Sequence, residues 1–242
     1  MKTIGVCLVF NDNDDIEKVK LFLSHLFKSV NYGMVNYYIV FNGSKIQFTK
    51  YFETLVETMP FKNDDNEKDR HFVNVEYKNL SLYESYNHLM QIVKEDYICL
   101  IPNGIYVNNN WHLTMLNYYS KLSTSGIISI NSGLEKTYYS SILSDEEMVT
   151  ICMPENYTIS GIYFMSKSLV HFMGGFDCNL KGYEREELCG RSRANGYVNY
   201  YALKENCIDT LYTYEEKTNE AKLLYDSSLK TMIKNKTFKK TF

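Results

Sequence analysis

The first forty-odd residues constrain the fold most. Thr3 to Phe10 is a short apolar run that stops at the polar corner Asn11-Asp12-Asn13-Asp14-Asp15. Ile16, Val19, Leu23, Leu26, Phe27 and Val30 then recur at three- and four-residue spacing, one stripe of an amphipathic helix. Tyr32-Gly33 ends it, and Asn36 to Phe41 is a second apolar run, stopped by Asn42-Gly43-Ser44. Strand, helix, strand is a βαβ unit, and its crossover is right-handed in nearly all cases. A chain that opens this way is expected to build an α/β fold around a mostly parallel sheet.

The alternation continues. Ile46 to Met59 is expected as a helix, with Phe48, Phe52, Leu55, Val56 and Met59 on its apolar side, and Phe72 to Tyr77 as a weaker third strand. Between them, Lys62 to Arg70 carries charge of both signs and no apolar face, the pattern of a solvated loop. A helix over Leu82 to Val93 feeds the apolar run Asp96-Tyr97-Ile98-Cys99-Leu100-Ile101, which stops at Pro102-Asn103-Gly104 and continues as Ile105-Tyr106-Val107. Such a corner, at the carboxyl end of a buried parallel strand, is where open α/β sheets place ligands. Beyond it, Trp111 to Leu122 reads as a helix, Gly126 to Ile130 as a strand, and Asn131 to Thr158 as a long aperiodic segment. Ile159 to Met165 reads as a strand, Lys167 to Met173 as a short helix, Tyr183 to Asn195 as a helix closed by Gly196, and Tyr197 to Ala202 as a strand. The division expected is one domain over residues 1–220, with a basic helical tail over residues 221–242 carrying Lys230, Lys234, Lys236, Lys239 and Lys240.

With 242 residues, 45% of them hydrophobic, the chain can bury one sizeable core. A net charge of −3 provides no global basic field to recruit nucleic acid or an anionic membrane. No run approaches the length of a membrane span, and Met1 to Phe10 reads as a strand rather than a leader. The six cysteines have no paired C-x-x-C spacing and are expected to be reduced and unmetallated, in a cytoplasmic protein. The five histidines show no ligand spacing.

Five pieces in order resemble the family 2 glycosyltransferases of the GT-A fold. They are the first strand ending at Phe10-Asn11; Val40-Phe41-Asn42-Gly43-Ser44; Asn79-Leu80-Ser81 followed by Asn87; Gly161 to Met165 with Gly174-Gly175-Phe176-Asp177; and Glu184-Arg185-Glu186-Glu187-Leu188-Cys189-Gly190-Arg191 with Gly196-Tyr197. The resemblance covers Thr3 to about Ala202. It implies a GT-A, Rossmann-like, mixed and mostly parallel sheet flanked by helices. It further implies transfer of a sugar from a nucleotide-diphosphate donor, UDP-linked, to a hydroxyl, with inversion.

The resemblance places Asn11, Asn42, Ser44 and Asn87 on the donor, and Pro102, Asn103 and Gly104 under its diphosphate. Gly161 and Trp111 fall on the acceptor side. Transfer needs a carboxylate to take the acceptor's proton, and Glu184 or Glu186 is the source expected. Arg185 stands where the family has its second acid, and could stabilise a departing diphosphate, with Arg191 and Arg193 sharing the task. The family's central corner carries Asp-x-Asp, holding Mn or Mg; Pro102-Asn103-Gly104 replaces it, a poor site for a hard cation, so no metal ligands are assigned. The acceptor expected is a saccharide or glycoconjugate, or a hydroxymethylated base in DNA. The alternative is a non-catalytic nucleotide-sugar or glycan-binding protein of the same fold. Without the resemblance, Glu184 to Glu187 read as a solvated helix face and Asn42-Gly43 as a tight turn.

Overall fold

The computed structural model describes residues 2–30, 33–59, 72–122, 124–130, 149–151, 161–202, 207–210 and 227. The chain alternates as the sequence predicts: β1 (Ile4–Asn11), α1 (Ile16–Lys28), β2 (Val35–Asn42), α2 (Lys45–Thr58), β3 (Val73–Lys78), α3 (Leu82–Ile92) and β4 (Tyr97–Leu100). There follow β5 (Ile105–Val107), α4 (Trp111–Lys121), β6 (Ser125–Ile130), β7 (Val149–Ile151), β8 (Tyr163–Ser166), α5 (Lys167–Met173), α6 (Glu184–Ala194), β9 (Val198–Ala202) and β10 (Cys207–Thr210). Caps fix several helix starts. The Asp15 side chain accepts from the Glu17 and Lys18 amides, Ser44 caps α2, and Ser81 with Glu84 forms a capping box on α3. Each such cap contributes about 1 kcal/mol.

Among the described residues the main sheet has eight strands in the order β3-β2-β1-β4-β8-β6-β9-β7. β8 runs against β4 and β6, and β7 against β9; the remaining strands share one direction. This is a mixed, mostly parallel sheet covered by helices on both faces. Alternation along β1 assigns the faces. Ile4, Val6, Leu8 and Phe10 enter one core with Phe22 and Leu23 of α1 and Trp111 of α4. Cys7 and Val9 enter the other with Leu89 of α3, Leu169 of α5 and Leu188 of α6.

Three short strands were not legible in the sequence. β5 pairs antiparallel with β10, roughly a hundred residues away in sequence, and β7 lies inside the segment read as aperiodic. Strands of three or four residues show too little alternation to register as a pattern. The expected strand over Ile159 to Met165 begins at Tyr163; Gly161, with φ 83°, forms the bend before it. Lys62 to Arg70 lies outside the described residues, as does the tail over residues 221–242 apart from Ser227, which is helical. Among the described residues no helix is long and apolar enough to cross a membrane.

Asn199 of β9 joins α6 to the sheet. It is fully buried; its Oδ1 accepts from the Ile127 amide and the Ser192 hydroxyl, both at 2.9 Å, and its Nδ2 donates to the Cys189 carbonyl at 3.1 Å. Gly126 leaves room for this group, since a Cβ there would lie 2.4 Å from Asn199 Oδ1. An Asn199→Ala variant strands these partners in the core and is expected to lose about 3 kcal/mol of stability. Urea denaturation checks this; a midpoint unchanged from wild type would contradict it.

Candidate active site

β1 leads through α1 to β2 on one side and has β4 on the other, so the chain diverges at the carboxyl ends of β1 and β4. In open α/β sheets this divergence opens the ligand crevice. Asn11 ends β1 directly opposite Asn42 at the end of β2. Pro102, Asn103 and Gly104 follow β4, with Gly104 in the left-handed region at φ 86°. Gly161 precedes β8, whose Tyr163 pairs with Leu100 at that same edge.

The β1 corner is a closed network. The Asn11 amide donates to Asp14 Oδ2 at 2.6 Å, and the Asp14 amide donates to the Asn11 carbonyl at 3.0 Å. Burial pushes the Asp14 carboxyl above its ordinary pKa, opposed by the Asn11 amide and by the Asn103 side chain, which faces it from the β4 corner. Asp12 Oδ2 accepts from the Ser44 amide at 2.7 Å, joining the β1 and β2 corners. A Cβ on Gly43, at φ 133°, would fall 2.1 Å from the Asp12 carboxylate, so glycine is required there. The Tyr51 hydroxyl of α2 donates to the carbonyls of Asn11 and Asp14. Burial, and then the carboxylates of Asp14, Asp12 and Asp15, push its pKa up to about 12.

Several expected site residues have structural commitments. Asn42 is buried; its Nδ2 donates to Ser85 at 2.8 Å and its Oδ1 accepts from the Leu80 amide at 3.3 Å, tying β2 to the start of α3. Asn87 holds the loop after α5: its Oδ1 accepts from the Phe176 amide at 2.8 Å and its Nδ2 donates to the Phe176 carbonyl at 2.9 Å. Its amide is therefore occupied rather than open to a donor. Arg191 is occupied too, pairing with both oxygens of Glu187 one turn back and donating to the carbonyls of Met173 and Gly175. Trp111 is 1% exposed in the α1-side core and offers no open ring face to an acceptor.

α6 carries the candidate base. β9 follows it and starts beside Ser125 at the amino edge, so α6, about 16 Å long, runs from the carboxyl edge toward the amino edge. Glu184, Arg185 and Glu187 are buried in its first turn, and Glu186 is half-buried. Acids there are favoured by the helix dipole. Burial first, then the charges of Glu84, Glu184 and Asp177, push the Cys178 thiol up; Cys178 sits 3.3 Å from Asn87 Nδ2. The start of α6 thus faces α3 across the loop that Asn87 and Arg191 hold.

A divalent cation that bridges a nucleotide's phosphates is held by one or two protein carboxylates, with phosphate and water oxygens completing its shell. Pro102 and Gly104 supply only main-chain carbonyls, Asn103 is turned to Asp14, and Asp12 and Asp14 already accept from amides. Among the described residues no group of three His, Cys, Asp or Glu side chains could hold such an ion by itself.

No family model and no curated protein sequence matches this chain. Its fold, however, is shared with solved GT-A-type glycosyltransferases. A structure of S. aureus TarS superposes with TM-score 0.60 at 12% identity, covering 96% of this chain and 39% of that one. TarS residues 1–349 in complex with UDP gives 0.62 and 13%, covering 97% and 66%. The mannosyltransferase PcManGT from Pyrobaculum calidifontis, in complex with GDP-Man and Mn2+, gives 0.60 and 9%, covering 95% and 73%. The chain has the GT-A glycosyltransferase fold, and it spans less than two thirds of the TarS chains.

In the sequence Asp12 and Asp14 stand only as part of the polar corner after the first apolar run, and nothing singles out Tyr51. The acidic run after β1 was the available signal; Tyr51 gave none, because its role depends on where α2 lands. Arg191→Met leaves Glu187 buried without its partner and releases Met173 and Gly175. It is expected to cost about 3 kcal/mol, and faster amide exchange at Phe176 than at β4 would locate the damage. Wild-type exchange at Phe176 would refute the latch.

Proposed function

We propose that this chain is a glycosyltransferase, akin to family 2, that moves a sugar from a nucleotide-diphosphate donor, UDP-linked, to a hydroxyl with inversion. The observation that carries the reading is the crevice itself: a polar, hydrogen-bonded corner between β1, β2 and β4 at the divergence of a GT-A sheet, with the acidic start of α6 on the same edge. Asn11 and Ser44 meet the nucleoside, with Asn42 fixing their backbone from behind. The main chain of Pro102 to Gly104, with Asn103, lies under the diphosphate, and Gly161 lets the acceptor approach closely. Asn87 acts through the loop it holds. The bound nucleotides of the structural neighbours, UDP in TarS and GDP-Man in PcManGT, support a nucleotide-sugar donor.

In the reaction the acceptor oxygen attacks the anomeric carbon from the face opposite the diphosphate. The bond to the diphosphate breaks and its electron pair leaves with the phosphate oxygen. Glu184 or Glu186 takes the acceptor's hydroxyl proton. Arg185, in the same turn, offsets charge on the leaving group. The acceptor is a saccharide or glycoconjugate, or a hydroxymethylated base in DNA; for DNA, affinity falls steeply with salt.

The test is nucleotide release from a panel of nucleotide sugars with candidate acceptors. Replacement of the true base, by Glu184→Ala or Glu186→Ala, is expected to lower kcat at least about a hundredfold, while the other variant retains most activity. Nucleotide binding without turnover of any donor would favour the non-catalytic alternative. Absence of nucleotide binding altogether would end the transferase reading.

A further inference from the structure

We infer that Tyr51 is a positioning residue for the donor half of the crevice: from α2, its hydroxyl holds the β1–α1 corner in the shape that presents Asn11 to a nucleoside. The inference rests on the donor site proposed above and adds a residue that no sequence pattern pointed to.

Asn11 and Asp14 form a tight turn through their own hydrogen bonds, amide to carboxylate and amide to carbonyl. The Asn11 carbonyl, which already accepts from the Asp14 amide, and the Asp14 carbonyl both lie toward α2. The Tyr51 hydroxyl meets them, at 3.0 Å from the Asn11 carbonyl and closer still to that of Asp14. One hydroxyl hydrogen shared between two carbonyls fixes the distance between the ends of the turn. The first residues of the corner are thus braced from a different element, one that also begins at Ser44, whose amide Asp12 accepts. Two contacts from α2 therefore frame Asn11 to Asp14. The hydroxyl stays protonated across physiological pH, because burial and the surrounding carboxylates oppose its ionisation.

The ring and the hydroxyl have separable tasks. The ring is 3% exposed and stacks on Phe41 at 5.0 Å and Phe10 at 6.5 Å between centroids, which is core packing that phenylalanine would supply equally. Phe48 on the same helix does supply it in that form, edge-on to Phe41 at 5.7 Å. Only the hydroxyl reaches the corner, so the ring serves the core and the hydroxyl the corner.

Tyr51→Phe separates the two. In the full chain, the variant is expected to bind uridine diphosphate about tenfold more weakly and to raise the donor KM by a similar factor with kcat kept. Its Tm should stay within about 4 °C of wild type, and amide exchange at Asp14 should quicken relative to β1. Tyr51→Leu, which also removes the ring, should lower Tm well beyond that. Unchanged uridine diphosphate affinity in Tyr51→Phe would overturn the inference while leaving the proposed function intact, as would a loss confined to kcat. If wild type binds no nucleoside diphosphate, the proposed function and with it the donor role fall, and unchanged exchange at Asp14 would then remove the brace itself.

Discussion

The structure depends on one strand being paired on both edges and buried on both faces. β1 hydrogen-bonds in parallel to β2 and to β4, and its alternate residues enter two different cores. Every side chain from Ile4 to Phe10 is therefore inside, and the first position able to meet solvent is Asn11. Because parallel strands need crossovers, α1 and α3 must return the chain over the sheet. All the polar corners that follow parallel strands consequently collect at one edge. The crevice follows from burying β1.

At that edge the corners are braced by one another. Asp12 reaches from the β1 corner to the start of α2, Asn103 faces Asp14 from the β4 corner, and Asn42 ties β2 to α3. Side chains that look ready to bind a ligand when read in sequence thus include several whose hydrogen-bonding capacity is already taken. Asn87 and Arg191 are the clearest cases. Both immobilise the loop between α5 and α6, one from α3 and one from α6, and together they set where the acidic turn of α6 stands. A site with fixed positions for its chemistry needs such supports, which hold the reacting groups without touching substrate.

The corner that carries Asp-x-Asp in the resembled family has different chemistry here. Where an Asp-x-Asp would present two carboxylates, this chain presents a proline, an amide turned to Asp14, and a glycine in the left-handed region.

The sequence by itself determined the α/β class, the order of the long elements and the polar corners at strand ends. These rest on local information: apolar runs of strand length, stripes at helical spacing, and Asn, Gly, Ser and Asp where the chain must turn. Tertiary structure alone decided the rest. The partnership of β5 with β10 and the antiparallel place of β8 depend on contacts between distant segments. So do the burial of Trp111, the occupation of Asn87 and Arg191, and the reach of Tyr51 to the first corner. A side chain's hydrogen-bond partners are set by which atoms folding brings within about 3 Å, and no spacing along one segment encodes that. Residue type limited what each position could do; packing chose which of those things it does.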